Sequence, residues 1–395
     1  MFTRRAILIN AAAVTAAATV PAVAADVIKI GNTFAYSGPA SSYGTGGKTI
    51  AAYFKKINAE GGVHGRQIQF ISYDDAYSPP KTVEQIRRLV EQDEVDILFQ
   101  TFGTACNMAI RKYCNAKKIP QLFVMSASSK FNDPEHFPWT TAWQPSYMSE
   151  AQIYAKYIVD NIDHPKIAVL YQNDDFGKDY LNGLKKGLGD KSDLVVAEAL
   201  YEISDPTVDS QVINLKASGA NVFIIVATSK FSAQAIKKSH EIGWEAQRFV
   251  SITSTSVGGV LTPAGLEASK GLISATYLMD PSDPQWADNP DMQAWRAFMK
   301  DWYPEGDQKD SMTSYAWAVA QTMVHVLEAA GPNADREAIM RAATHMNHVR
   351  IPMLLPGITL STSDTDFGAI ESMRLMRFNG ESWAMFGDII NVGAT

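Results

Sequence analysis

Two patterns of apolar residues alternate along this chain. Short, nearly continuous apolar runs, "VIKIGNTFA", "RQIQFISYDD", "VDILFQ" and "PQLFVMS", predict strands. Between them, helical spacing predicts a helix from about Gly46 to Asn58, one with Val83, Ile86, Leu89 and Val90 on one side, and one after Gly103. In that third helix Cys106, Ile110 and Tyr113 share a face. The pattern restarts at Tyr147 with a helix carrying Ile153, Tyr157 and Ile158. The strands "KIAVLYQ", "DLVVAEALY", "NVFIIVAT" and "RFVSIT" follow, separated by helices after Gly177, around Val212 and around Ile236. From about Pro281 the chain turns helical ("DMQAWRAFMKDWY", "SYAWAVAQTMVHVLEAAG", "DREAIMRAATHM") and ends in short strands near Arg374 to Phe378 and Trp383 to Phe386.

Nearly continuous apolar strands are those of parallel sheets covered on both faces. Two successive sets of strand–helix units therefore predict an α/β protein of two doubly wound, Rossmann-like lobes. Neither lobe is closed by its own first segment, so the lobes are expected to exchange segments across a cleft.

Composition narrows the class. The chain has 395 residues, 46% apolar and 19% charged, with a formal net charge of −7. No basic stripe favours nucleic acid, and no segment after the N-terminus is apolar enough to cross a membrane. Met1 to Ala25 reads as an export leader: Arg4-Arg5, an apolar stretch from Ala6 to Val20, and Ala22-Val23-Ala24 as a small-x-small cleavage site. "TRRAIL" leaves the twin-arginine route open beside the general secretory one. Export permits disulfides, but the only cysteines, Cys106 and Cys114, lie on one predicted helix. Their Cα atoms are expected about 12 Å apart, and a bridge needs about 4.4–6.8 Å. They are expected to be free and buried.

Catalytic chemistry has no visible carrier. "GTGGKT" (Gly44 to Thr49) follows the first strand, but Ser42 stands where a phosphate-binding loop needs its first glycine, and Thr49 breaks a dinucleotide fingerprint. His345 and His348 have no carboxylate or cysteine beside them in sequence and read as a solvated helix end. Asp74-Asp75 and Asp174-Asp175 each follow a strand and are explained by turn and helix-cap duty. No nucleophile elbow occurs, and neither a metal nor a cofactor is expected.

What is left is binding. Ligands of doubly wound sheets sit beyond the carboxyl ends of the strands. The loops there are Phe34 to Tyr43, Thr101 to Thr104, Ser126 to Lys130, Asn173 to Phe176, Thr228 to Phe231, and Ser251 to Ser256. They are rich in Ser, Thr and Gly, with Tyr36, Tyr43, Phe102 and Phe176 among them. The run Ile97, Leu98, Phe99 stops at Gln100, and a small Thr-Phe-Gly-Thr loop leads into a helix whose free N–H groups and dipole favour an anion. Hydroxyls, backbone donors and aromatic walls suit a small, partly apolar carboxylate.

"IKIGNTFAYSGPASSYG", "KKINAEGGVHGRQIQFISYDDAYSPPKTVEQIRRLVEQDEVDILFQTFGT" and "KIAVLYQNDDFGKDY" resemble the type I periplasmic binding proteins, specifically the leucine/isoleucine/valine-binding family of ABC importers. The resemblance runs from about Val27 to the C-terminus. It implies two lobes joined by a three-segment hinge, closing on a ligand and delivering it to an inner-membrane ABC permease with its ATPases. On that scheme residues 1–25 are the signal peptide, 26–145 plus about 280–355 form lobe I, and 146–279 plus about 356–395 form lobe II. A periplasmic monomer is expected.

Residue by residue, the resemblance implies a carboxylate site on the Gly103-Thr104 loop and on Ala127, Ser128 and Ser129, with Tyr43 flanking the ligand; Thr101 and Phe102 of the same loop are further candidate ligand-binding residues. In the second lobe Phe176, Thr228 and Thr253 are expected to set specificity. Thr253 falls near the place of an acid that grips an ammonium in the family's amino-acid binders, and Phe176 replaces an aromatic hydroxyl. Tyr77 and Phe102 sit where a frequent family disulfide would be. Without the acid a buried ammonium has no partner, so an aromatic or other apolar monocarboxylate is favoured unless an Asp or Glu arrives from elsewhere. The alternatives are a branched-chain or other amino acid or amide, a ligand-sensing receptor, or an enzyme on the same scaffold.

Overall fold

The structure, a computed structural model, describes residues 27–391. The expected leader lies outside the described residues.

The first sheet is built from β1 (Ile28–Phe34), β2 (Ile68–Asp74), β3 (Ile97–Phe99), β4 (Gln121–Val124) and β5 (Thr140–Ala142). Its strands are parallel and run in the order β2-β1-β3-β4-β5. Helices α1 (Gly44–Ala59), α2 (Pro79–Glu91) and α3 (Thr104–Ala116) connect the first four. Ile86, Leu89, Leu98, Ile110 and Cys114 form an apolar layer between the sheet and α2 and α3. Cys106 and Cys114 are both free and buried.

After β5 come α4 (Tyr147–Asn161), β6 (Ile167–Gln172), α5 (Asp175–Leu188), β7 (Val195–Tyr201), α6 (Asp209–Ala217), β8 (Val222–Val226), α7 (Ser229–Glu241), β9 (Gln247–Val250) and β10 (Ile273–Thr276). The chain then returns to the first lobe as α8 (Pro290–Trp302), α9 (Ser311–Ala330) and α10 (Arg336–Thr344), with α9 packed on α1. It ends in β11 (Ser372–Phe378), β12 (Trp383–Met385) and β13 (Ile390–Asn391). The second sheet runs β12-β11-β10-β9-β8-β6-β7, with β13 on β11. Strands β6 to β10 are parallel, and β11 joins β10 antiparallel.

Both sheets reverse their winding at one point, β1/β3 in the first and β6/β8 in the second. That is where doubly wound sheets open a crevice. The expected return to lobe II near residue 356 comes later. Gly368 still bridges to Ala142 at the edge of the first sheet, and the second sheet resumes at Ser372. Strands β5 and β10 escaped the hydrophobic pattern because they read Thr-Thr-Ala and Ile-Ser-Ala-Thr. Small and hydroxyl side chains fill these buried strands without making an apolar run.

The glycines of "GTGGKT" have a packing role. A Cβ at Gly47 would lie 2.1 Å from the Tyr36 hydroxyl, and one at Gly46 would lie 3.2 Å from the Phe34 ring. They let α1 press against the end of β1. The two aspartate pairs act as turns and caps. Asp74 accepts the N–H groups of Tyr36, Ser37 and Ala76, and Asp174 accepts those of Phe176 and Gly177 at the start of α5.

Glu150, buried in α4, ties the lobe II framework together. It accepts hydrogen bonds from the Tyr154 and Tyr180 hydroxyls and from the Ile252 N–H at 2.9 Å. Burial pushes its carboxyl up to about 7 from an ordinary 4.5. A raised carboxylic acid keeps its proton in the folded chain when the unfolded chain has lost it, so this group costs stability as pH rises from 4.5 through about 7. Glu150→Gln is expected to flatten that fall by about 2 kcal/mol, measured by urea unfolding at both ends of the window.

Candidate ligand-binding cleft

The carboxyl ends of the two sheets face each other across a cavity with about 100 Å³ of room for water centres. The first lobe contributes the loops after β1 and β3, and the second those after β6, β8 and β9. Several helices begin here, α3, α5 and α7 among them, and their free N–H groups must find partners. Helix α5 is capped by its own Asp174. Helix α7 has no side-chain cap of its own, but its Ser229 N–H donates to the Tyr43 hydroxyl of the opposite lobe at 3.2 Å. Helix α3 has neither. Its cap residue is Gly103, and no side chain closes the end.

Gly103 is a glycine for two reasons. Its φ is +93°, and a Cβ would lie 2.3 Å from the Tyr77 ring. Thr104, the first residue of α3, shares its hydroxyl with Ser126 at 2.7 Å. Gly103 and Thr104 both line the cavity, and among the described residues no Lys, Arg or His does. Any anion held here is met by N–H and O–H groups alone.

Tyr43 joins the lobes. Besides accepting from Ser229, its hydroxyl donates to the Thr253 carbonyl at 2.9 Å. Its ring stacks on Phe102 with centroids 4.8 Å apart, and Phe102 meets Tyr77 at 5.2 Å. The two positions of the absent disulfide are thus in contact, joined by aromatic packing. Opposite them Phe176 packs edge-on against Tyr147 at 5.0 Å. The Thr228 N–H donates to the Tyr201 hydroxyl at 2.9 Å, and the Thr253 hydroxyl pairs with Ser251.

The structure therefore brings Tyr43, Phe102, Gly103, Thr104, Phe176, Thr228 and Thr253 to one cavity. Thr101, Ala127, Ser128 and Ser129 do not line it. The Thr101 hydroxyl is turned back onto Asn107 at 2.5 Å. The Ser129 N–H and hydroxyl are both taken by the Asp179 carboxylate of α5, at 2.6 and 3.1 Å. That loop meets a carboxylate, but one from the protein's own second lobe. Further bonds cross the cleft between Lys130 and Asp175, Gln172 and Tyr77, and Ser256 and Asp310.

Sequence reading missed the wall nearest the hinge. Tyr277 and Asp280 come from the crossing after β10, and Asp310 and Tyr315 from the start of α9. Desolvation, assisted by Asp283 and Asp310, raises the Asp280 carboxyl to about 6. Burial also raises Asp310, although its carboxylate caps Met312 and accepts from Ser256. "KDSM" is legible as a helix cap; nothing local in sequence says that it faces a cleft.

Comparison with known proteins accords with this architecture. The family model described as periplasmic binding protein matches residues 27–382. A protein named Leu/Ile/Val-binding protein homolog 2, from Brucella abortus (strain 2308), is 24% identical over 73% of this chain and 74% of its own length. A branched-chain amino acid ABC transporter protein from Thermus thermophilus, solved with bound valine, superposes with a TM-score of 0.82. It is 15% identical, over 93% of this chain and 97% of that one. A fatty acid ABC transporter substrate-binding protein from Thermomonospora curvata reaches 0.78 at 18% identity, over 93% of both chains.

Replacing Tyr43 by Phe removes the hydroxyl that meets Ser229 and Thr253. Each buried backbone group left unpaired costs about 1–3 kcal/mol, and the loss falls on the closed arrangement alone. Tyr43→Phe is expected to enlarge the unliganded protein in small-angle scattering. A profile identical to wild type would show that this bridge does not hold the lobes.

Proposed function

We propose that this chain, which belongs to the periplasmic binding protein family, is the solute-binding component of an ABC importer. It acts in the periplasm, reached by way of the expected leader, and hands its ligand to an inner-membrane permease with its ATPases. It performs no chemistry on the ligand. The observation that carries the ligand reading is the uncapped end of α3, which opens through Gly103 and Thr104 onto a cavity without a cationic side chain.

The favoured ligand is an aromatic or other apolar monocarboxylate. Its carboxylate accepts from the free N–H groups of α3, where the helix dipole adds its favourable field. Its body lies among Tyr43, Phe102, Phe176 and Tyr147, whose rings take a flat apolar group without a directional demand. Thr228 and Thr253 bound it on the second lobe. The fold alone does not choose the ligand, since proteins of this architecture are described with valine and with fatty acids.

A second reading, an amino acid, is favoured by Asp280 and Asp310 on the same wall and by the names of the relatives. An acid there could meet an ammonium that Thr253 cannot.

Isothermal titration with benzoate, phenylpropenoates and L-leucine decides between the two. Aromatic acids are expected to bind and leucine to bind weakly or not at all; the reverse order would select the amino-acid reading. Thr253→Glu adds a further carboxylate on the second-lobe side of the cavity and is expected to abolish binding of aromatic acids. Mass spectrometry of small molecules retained by the native protein should identify a compound carrying a carboxylate.

A further inference from the structure

The hinge-side wall of the cavity is acidic and uncompensated. Asp280 Oδ1 is engaged by its own turn, accepting the N–H and the hydroxyl of Ser282. Oδ2 has no hydrogen-bond partner among the described residues, and Asp280, partly exposed, lines the cavity, where desolvation is the first cause of its raised pKa. Asp310, less than a tenth exposed, adds a second carboxylate to the same wall, within electrostatic reach of Asp280. No basic side chain on the wall answers either of them. A ligand that shields this oxygen from water without supplying a donor leaves it costly, and a ligand that supplies a donor removes that cost.

The cavity is thus chemically two-ended. The free N–H groups of α3 lack an acceptor, and Asp280 lacks a donor. The two features come from elements far apart in sequence, the loop after β3 and the crossing after β10. We infer that the ligand carries, besides its carboxylate, a hydroxyl or ammonium group that donates to Asp280, so that this residue selects bifunctional over plain carboxylates. The inference rests on the carboxylate reading for the α3 end. The hydroxyl and the ammonium share the donor chemistry, and titration distinguishes them.

The test is a set of matched pairs measured by calorimetry: benzoate against 4-hydroxybenzoate and 4-(aminomethyl)benzoate, and cinnamate against 4-hydroxycinnamate. In wild type, the donor-bearing member of at least one pair is expected to bind about tenfold tighter or more than its parent, as for a hydrogen bond to a charged partner. In Asp280→Asn, which keeps an Oδ1 acceptor for the Ser282 turn, that gap is expected to close. The gap is a ratio measured on one preparation, so partial unfolding of the variant cannot imitate its loss. Equal affinities within every wild-type pair would overturn the inference, as would a gap that persists in Asp280→Asn. Tyramine, which has the donors and lacks the carboxylate, separates the two readings. If it binds in an Asp280-dependent way while no carboxylate binds, the α3 reading fails and the donor site stands. If no member of the set binds, both fail.

Discussion

The molecule is organised by the obligation of parallel strands. A strand paired in parallel on both sides cannot turn back on itself, so each must cross over through a helix, and the crossovers are right-handed. Every strand end is then released on the same edge of the sheet, followed by a helix whose first amides have no partner of their own. In this chain two such edges face each other. The N-terminal amides of α3, α5 and α7 have to be satisfied from across the cleft, from a local side chain, or from a ligand. Asp174 settles α5 and the Tyr43 hydroxyl settles α7, which leaves α3.

The same obligation explains what could be read in advance. Buried parallel strands are written as apolar runs, so β1, β3, β6 and β8 stood out, and with them the loops that begin where they end. Topology then ranks those loops, because the switch points at β1/β3 and β6/β8 lie where Gly103 and Thr228 are found. What could not be read was set by contacts distant in sequence. The engagement of Ser129 by Asp179 joins residues fifty positions apart, and no local pattern at either one announces it. Asp280 and Asp310 were illegible for a related reason. Asp280 sits in a crossing and Asp310 at the cap of α9, and what each faces depends on how the two lobes lean together.

The bonds that cross the cleft are mostly polar: Tyr43 to Thr253 and Ser229, Ser129 to Asp179, Ser256 to Asp310, Lys130 to Asp175. On opening, water replaces each partner, so the net gain from closing is about 0.5–1.5 kcal/mol per neutral bond. The exposed Lys130 pair contributes less. Such an interface holds the lobes in register without locking them, and a ligand that satisfies the remaining α3 amides can tip the balance. Here Asp179 of the second lobe supplies a carboxylate to the Ser129 loop, so the contact between the lobes uses the chemistry proposed for recognition at the neighbouring α3 loop.

The threefold crossing also dictates the order in which the lobes can be finished. The five strands of the first sheet are complete by Ala142, but α9, which covers α1, spans Ser311–Ala330. The whole of β6 to β10 is made in between. A chain emerging from its N-terminus therefore holds α1 without its covering helix until most of the second lobe exists. Contacts of that sequence separation form late and slowly. The first lobe cannot seal its core until that late helix has been made.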